Sequence, residues 1–148
     1  MEGSTMGDQA ALDYDRGSLP EILKGRWQGL PVPQRVCVAN VCGAEVAADI
    51  SSFTTGQWQI EPVYARVKEA AAGVTNAYPD VSQLGIDRWL ALIAAWNKYH
   101  APVCVAGCGT AVTLDVVDGD GYHLGGLIFP GLRLMQQSLI THTHGIGD

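Results

Sequence analysis

Between residues 103 and 128 the sequence repeats one device, a short apolar run stopped by a glycine turn. Val103-Cys104-Val105-Ala106 ends at Gly107-Cys108-Gly109-Thr110, the run Ala111-Val112-Thr113-Leu114-Asp115-Val116-Val117 ends at Asp118-Gly119-Asp120-Gly121, and a third run extends from Tyr122 to Ile128. Apolar runs joined by short glycine or Asp-Gly turns are hairpin signals. They predict an antiparallel three-stranded meander, followed by a helix from about Leu132 to Leu139.

Upstream, the pattern alternates strand with helix. Ser18 and Glu21 have capping-box spacing before a short helix opening at Leu19. Arg35 to Val41, bounded by Pro33 and Gly43, reads as a strand buried on both faces, and the alanine-rich segment from Ala44 to about Ser51 as a helix. Trp58 to Tyr64 alternates enough to predict a second strand, with Pro62 marking an edge or a break. A loop through Tyr78, Pro79 and Asp80 leads to a helix from Asp87 to about Tyr99. The predicted class is therefore α/β, a strand-helix region giving way to a fresh β-meander.

Composition narrows the function. A formal charge of −6, with nine basic residues scattered rather than clustered, disfavours nucleic acid and leaves small molecules and protein partners. No run of about 18 apolar residues suggests a membrane span, and the first residues lack the form of a signal peptide, so the expected location is cytoplasmic. Cys37, Cys42, Cys104 and Cys108 lie in or beside predicted strands and read as reduced structural thiols, since neither spacing is a CxxC zinc pattern. His142 and His144 have no acidic or thiol companions and are not read as a metal site.

Chemistry concentrates around Gly85-Ile86-Asp87-Arg88-Trp89. A carboxylate beside a guanidinium at the mouth of a helix can take a proton from a substrate while the cation holds an anion. Each residue also has a plainer reading: Asp87 as a helix cap, Arg88 as a solvated charge, Trp89 as a core aromatic, Tyr78 as a turn residue packing its ring. The turn Gly107 to Thr110 could wrap a phosphate with outward N–H groups and the Thr110 hydroxyl, or be an ordinary hairpin. The glycines of Leu124 to Gly131 argue for close backbone approach to another chain or a ligand.

Taken together, Asn76-Ala77-Tyr78-Pro79-Asp80, Gly85 to Trp89, Gly109-Thr110-Ala111-Val112-Thr113-Leu114-Asp115 and Gly125-Gly126-Leu127-Ile128-Phe129-Pro130-Gly131 resemble, in order and spacing, the type III pantothenate kinases, from about Leu19 to about Leu139. The resemblance implies the RNase H-like acetate and sugar kinase/Hsp70/actin superfold and a homodimer. It implies ATP-dependent phosphorylation of pantothenate to 4′-phosphopantothenate, the first step of coenzyme A biosynthesis. It also implies Asp87 as proton acceptor, Tyr78, Gly85, Ile86, Asp87 and Arg88 on pantothenate, and Thr110 on ATP phosphate. Mg²⁺ and a monovalent cation, K⁺ or NH₄⁺, would assist.

Two departures from the family pattern shape the expectation. The Asp-x-Gly-Asn-Thr phosphate loop that opens the family is not reproduced in residues 1–18, and Gly107 occupies the position of the aspartate that helps hold the monovalent cation. The chain is thus expected to be truncated at both ends or degenerate. Residues 1–18 would be a non-matching leader, 19–101 an incomplete first lobe and 102–148 the start of a second. The alternative to an enzyme is a non-catalytic relic serving as a dimerising or ligand-binding module.

Overall fold

The computed structural model describes Tyr14 and residues 17–144, so most of the expected leader, including Met6 to Gln9, lies outside the described residues. By packing, the chain forms two compact units that divide between Tyr64 and Ala65.

The first unit holds α1 (Leu19–Trp27), β1 (Cys37–Val38), α2 (Ala44–Trp58) and β2 (Val63–Tyr64). Pro20 stands in the first turn of α1, where a missing N–H costs nothing, and Ser18 makes no side-chain cap bond, so the expected capping box is not formed. Leu19 and Leu23 of α1 are buried, and Trp27 meets Phe53 and Trp58 of α2 at ring-centroid distances of 5.9 and 6.0 Å.

Two further expectations fail in this unit. The run Trp58 to Tyr64 is not one strand: α2 continues to Trp58 and ends on left-handed Gln59 (φ 58°), and only Val63–Tyr64 is extended. The Trp27–Phe53–Trp58 cluster supports the extra helical turns. Of the run Arg35 to Val41, only Cys37–Val38 forms a strand, pairing in parallel with Val63–Tyr64. It is not buried on both faces, since Cys37 is exposed and Val38 only half-buried, and β2 is its only strand partner among the described residues. The Tyr64 hydroxyl fixes β2 to α2 by donating to the Ala47 carbonyl at 2.6 Å.

The second unit begins with a tight hairpin, β3 (Ala70–Ala71) and β4 (Val74–Thr75). Its turn residues Ala72 and Gly73 both have positive φ (48° and 83°), as hairpin geometry demands. After a single 3₁₀ turn at Val81–Gln83 come α3 (Ile86–Tyr99), the meander β5 (Val103–Cys108), β6 (Ala111–Val117) and β7 (His123–Pro130), and α4 (Leu132–His142). The strands lie in the order β5-β6-β7, all antiparallel, as the glycine punctuation predicts.

The core of this unit lies between α3 and one face of the meander. Ile86, Trp89 and Leu92 form a helical stripe, and they pack with Val74, Leu84 and Val117, with Val103 and Val105 partly buried beside them. Trp89 is 1% exposed, the core aromatic of its plainer reading.

Cys104 and Cys108 alternate with Val103 and Val105 and so lie on the other face of β5. All four cysteines are free, in keeping with reduced thiols, but exposed, so they do not pack the core as structural thiols would. Cys37, Cys104 and Cys108 lie in strands as expected, whereas Cys42 lies in the bend before α2; strand periodicity leaves open which face is covered.

Candidate functional site

Arg88 stands in the first turn of α3, and Asp115 lies midway along β6. The arginine forks onto the carboxylate: Nε donates to Oδ2 at 2.8 Å and Nη2 to Oδ1 at 2.6 Å. The side chains are only 11% and 3% exposed, so Arg88 is not the solvated surface charge of its plainer reading. The Asp115 hydrogen bonds raise the guanidinium pKa above its ordinary value; burial opposes this, and the nearby Tyr78 hydroxyl adds a smaller rise. An aspartate inside an apolar strand requires such a partner, because an unpaired buried charge is costly.

The same Oδ1 meets a third group, His123 Nε2, at 3.0 Å. Position 123 reaches this face through an irregularity in the sheet. Up to Val116 the β6–β7 register is regular, Asp115 opposite Gly126 and Val116 opposite Gly125, but Val117 then pairs with His123, skipping Leu124. The extra residue is a β-bulge, and Gly125 takes the positive φ (101°) it needs. In unbroken register Leu124 would oppose Val117 and His123 would face away from Asp115, since one residue of slip exchanges the faces. With the bulge, His123 is 3% exposed and Leu124 is 64% exposed.

Gly126 explains why β7 can lie so close. A Cβ there would strike Asp115 Oδ1, approach Arg88 Nη2 at 2.5 Å and the Leu114 carbonyl at 2.6 Å. The close approach expected to another chain or a ligand is instead made by Gly126 alone, to a buried ion pair within the chain, while Gly125 has open space around it.

Of the residues singled out in sequence, Tyr78 and Arg88 are brought together. The Tyr78 loop is pinned where the Asn76 side chain accepts from the Tyr78 amide at 3.0 Å, and the Tyr78 ring meets His123 edge-on at 5.7 Å. Next along the loop, the Asp80 carboxylate accepts from the Ser82 amide at 3.0 Å and hydroxyl at 2.7 Å. Those bonds lower its pKa from the ordinary value.

Gly85 is the N-cap of α3. Asp87 is exposed, and its carboxylate folds back over that glycine, with Oδ1 only 2.6 Å from where a Gly85 side chain would begin. The Ile86 side chain belongs to the core, so only its backbone faces outward. The first turn of α3 thus offers an exposed carboxylate beside an anchored guanidinium.

Thr110 lies elsewhere, exposed at the tip of the β5–β6 hairpin, five residues or about 17 Å along the strand from Asp115. The turn is shorter than expected, because β5 runs on through Gly107 and Cys108. Its amides do not all point outward: Gly109 N–H donates to Ala111 O at 3.0 Å, and Thr110 O accepts from Gly131 N at 2.8 Å. Beside the tip a groove of about 670 Å³ is lined by Thr110, Cys108, Val112, Leu132, Arg133 and Gln137, among others.

Gly107 faces Thr113 across the sheet, and a Cβ there would lie 2.7 Å from the Thr113 hydroxyl. No group of three or more His, Cys, Asp or Glu suited to a metal occurs among the described residues. Glycine at position 107 supplies no side-chain oxygen to a cation.

Sequence reasoning did not single out Asp115 or His123. The acid within the apolar run Ala111 to Val117 was a usable signal; the bulge that recruits His123 had none.

The second unit is α/β, and its core helix opens on an exposed acid next to an anchored arginine. The family model described as type III pantothenate kinase matches residues 9–147, wider than the 19–139 stretch carried by the motifs. The chain belongs to that family.

Among relatives, the type III pantothenate kinase of Nitrosococcus oceani is 38% identical over 153 residues, covering 100% of this chain and 58% of that protein. That of Halorhodospira halophila is 38% identical over 150 residues, covering 99% and 59%, and that of Burkholderia vietnamiensis 44% over 121 residues, covering 79% and 45%. The chain spans about half the length of the curated relatives it matches.

Proposed function

We propose that the protein takes part in ATP-dependent phosphorylation of pantothenate to 4′-phosphopantothenate, with the first turn of α3 as its substrate side. One observation carries this: exposed Asp87 stands next to Arg88, whose guanidinium Asp115 holds by its Nε–Nη2 edge. In this reading Asp87 accepts the proton of the primary hydroxyl as that oxygen bonds to the γ-phosphorus. The bond from the γ-phosphorus to the bridging oxygen breaks, and ADP leaves with the electron pair.

Arg88 and Tyr78 hold pantothenate, and the backbone of Gly85 and Ile86 lines its path. Thr110 would contact ATP phosphate, and the Mg²⁺ carried by ATP supplies charge neutralisation. A monovalent cation, K⁺ or NH₄⁺, would assist, with no side-chain oxygen from Gly107. Family membership also supports the RNase H-like superfold, a homodimer and a cytoplasmic location as proposals; the lobe boundary near 101/102 rests on the motif order alone and falls inside the second compact unit. Among the described residues no helix is long and apolar enough to cross a membrane.

A second reading, a ligand-binding module without turnover, is favoured by Gly107, which supplies no carboxylate where the family pattern has one. Calorimetric titration with pantothenate and an ADP-release assay with ATP, Mg²⁺ and K⁺ separate the two. Pantothenate-dependent ADP release supports the kinase, binding without release supports the module, and absence of binding sinks both.

A further inference from the structure

We propose that His123 is a positioning residue for Arg88, acting through Asp115, and that the bulge at Val116/Val117 serves to bring it there. The substrate consequence rests on the reading of Arg88 as a pantothenate contact; the positioning itself does not. Three observations converge on it. Asp115 Oδ1 is shared, accepting from Arg88 Nη2 at 2.6 Å and lying 3.0 Å from His123 Nε2. A carboxylate already accepting two guanidinium bonds offers only lone pairs, so Nε2 carries the proton and donates. The histidine ring is otherwise held by packing alone: its side chain is fully buried, and the Tyr78 ring meets it edge-on at 5.7 Å.

The geometry gives the third bond a specific job. The terminal torsion of an aspartate is broad, so a carboxylate can turn about its own axis, whereas a planar guanidinium fork needs both oxygens in its plane. A donor from the neighbouring strand β7 holds that plane through a third contact on Oδ1. Asp115 then takes only the Nε–Nη2 edge of Arg88, which leaves Nη1 unclaimed by the carboxylate.

Packing alone does not explain a histidine here. Its Nδ1 is buried without a hydrogen-bond partner, an arrangement that an apolar side chain of similar size would avoid. Nor is the strand path the simplest available, since unbroken register would place Leu124 in the core instead. The bulge and the unpartnered nitrogen are both accounted for if the Nε2–H bond to Asp115 is what the fold retains.

The test is nuclear magnetic resonance on the ¹⁵N-labelled chain, read at His123, at Arg88 Nε–H and during pantothenate titration. In the unsubstituted protein the His123 ring should carry its proton on Nε2, and an unprotonated Nε2 overturns the proposal without any variant. His123→Ala should speed solvent exchange of Arg88 Nε–H by about tenfold. His123→Gln, whose amide reaches the same oxygen, should restore slow exchange. Unchanged exchange in a folded His123→Ala chain, or failure of His123→Gln to hold Arg88, overturns it. If His123→Ala does not fold, the ring protonation and His123→Gln decide.

Pantothenate affinity should fall about tenfold in His123→Ala and recover in His123→Gln. If the unsubstituted chain fails to bind pantothenate, the functional reading is lost, and the exchange measurement still decides the positioning role.

Discussion

Arg88 and Asp115, 27 residues apart, meet through two parallel hydrogen bonds of 2.8 and 2.6 Å, and they tie the first turn of α3 to the middle of β6. The pair fastens the helix that carries Asp87 to the meander that carries Thr110. It also sits against β7 at the one position, Gly126, where no side chain intervenes. In the proposed reading, the substrate side therefore shares this contact with the packing of the unit.

Removing one partner should cost more than removing both. Asp115→Ala leaves a guanidinium that is 11% exposed without its counter-ion, and a loss of about 3 kcal/mol is expected in urea unfolding. Arg88→Met with Asp115→Leu removes the buried charge altogether and should unfold at higher urea than Asp115→Ala alone. Equal or lower stability of the double variant would show that the pair stabilises by more than mutual neutralisation.

The two adjacent glycines of β7 should respond differently to alanine. Gly125 has open space around a Cβ but a φ of 101°, so Gly125→Ala carries backbone strain of about 1 kcal/mol. Gly126→Ala drives a methyl group into the Leu114 carbonyl and the ion pair, and about 2 kcal/mol or more is expected. Gly126→Ala should perturb the Arg88 Nε–H resonance directly, whereas Gly125→Ala should reach it only through His123, with loss of the His123 Nε2–H bond. A Gly125→Ala chain whose Arg88 signal shifts while the His123 Nε2–H is retained would mean that the strand path itself, not the histidine, controls the pair.

The contrast between these sites and the rest of the chain shows what the residues disclosed in order and what they did not. The meander was readable because its turns are local: Asp118 and Gly121 build one, with the Asp118 side chain accepting from the Asp120 and Tyr122 amides at 2.9 Å. The helix of Trp89 and Leu92 was readable from its apolar stripe. Trp58 was misread because local alternation cannot reveal that Trp27 and Phe53 await it in space. His123 stayed hidden because its face depends on a one-residue bulge in the pairing with β6. Tyr78 and Arg88 were found through motifs, Asp115 only as part of one.

The Asp80 turn makes a pH prediction of definite sign. Its carboxylate accepts two bonds from Ser82, which hold its pKa below the ordinary aspartate value. A depressed folded-state pKa means that the contribution is fully present above the ordinary value and lost as pH falls through the lowered one. Carbon-detected titration should find Asp80 below a typical aspartate, and Ser82→Ala should move it back up. A Ser82→Ala chain with an unchanged Asp80 midpoint would assign the shift to something other than the hydroxyl.

Asp87 separates cap from catalyst. Gly85, not Asp87, caps α3, and Asp87 is exposed, so Asp87→Asn should lose only the helix-end electrostatic benefit, under about 1 kcal/mol. If Asp87 accepts the hydroxyl proton, the same change should lower the rate of pantothenate-dependent ADP release by about 10² to 10⁴ while leaving pantothenate affinity nearly unchanged. A large stability loss with proportionate loss of binding would return Asp87 to a structural role.

Gly107 gives the sharpest test of the cation question, because the sheet itself limits what can replace it. Position 107 is exposed on β5, but its Cβ would lie 2.7 Å from the Thr113 hydroxyl, so Gly107→Asp requires Thr113 to change rotamer. That hydroxyl is the end of a side chain and not backbone, so the strand pairing should survive and the unfolding midpoint should fall modestly, by about 1 kcal/mol. Gly107→Asp with Thr113→Ala should recover that loss. If position 107 is where a cation ligand has been replaced, the aspartate variant should raise the K⁺ dependence of ADP release, read as a larger ratio of rates in KCl and in tetramethylammonium chloride. An unchanged ratio in a folded, pantothenate-binding variant removes position 107 from any cation site.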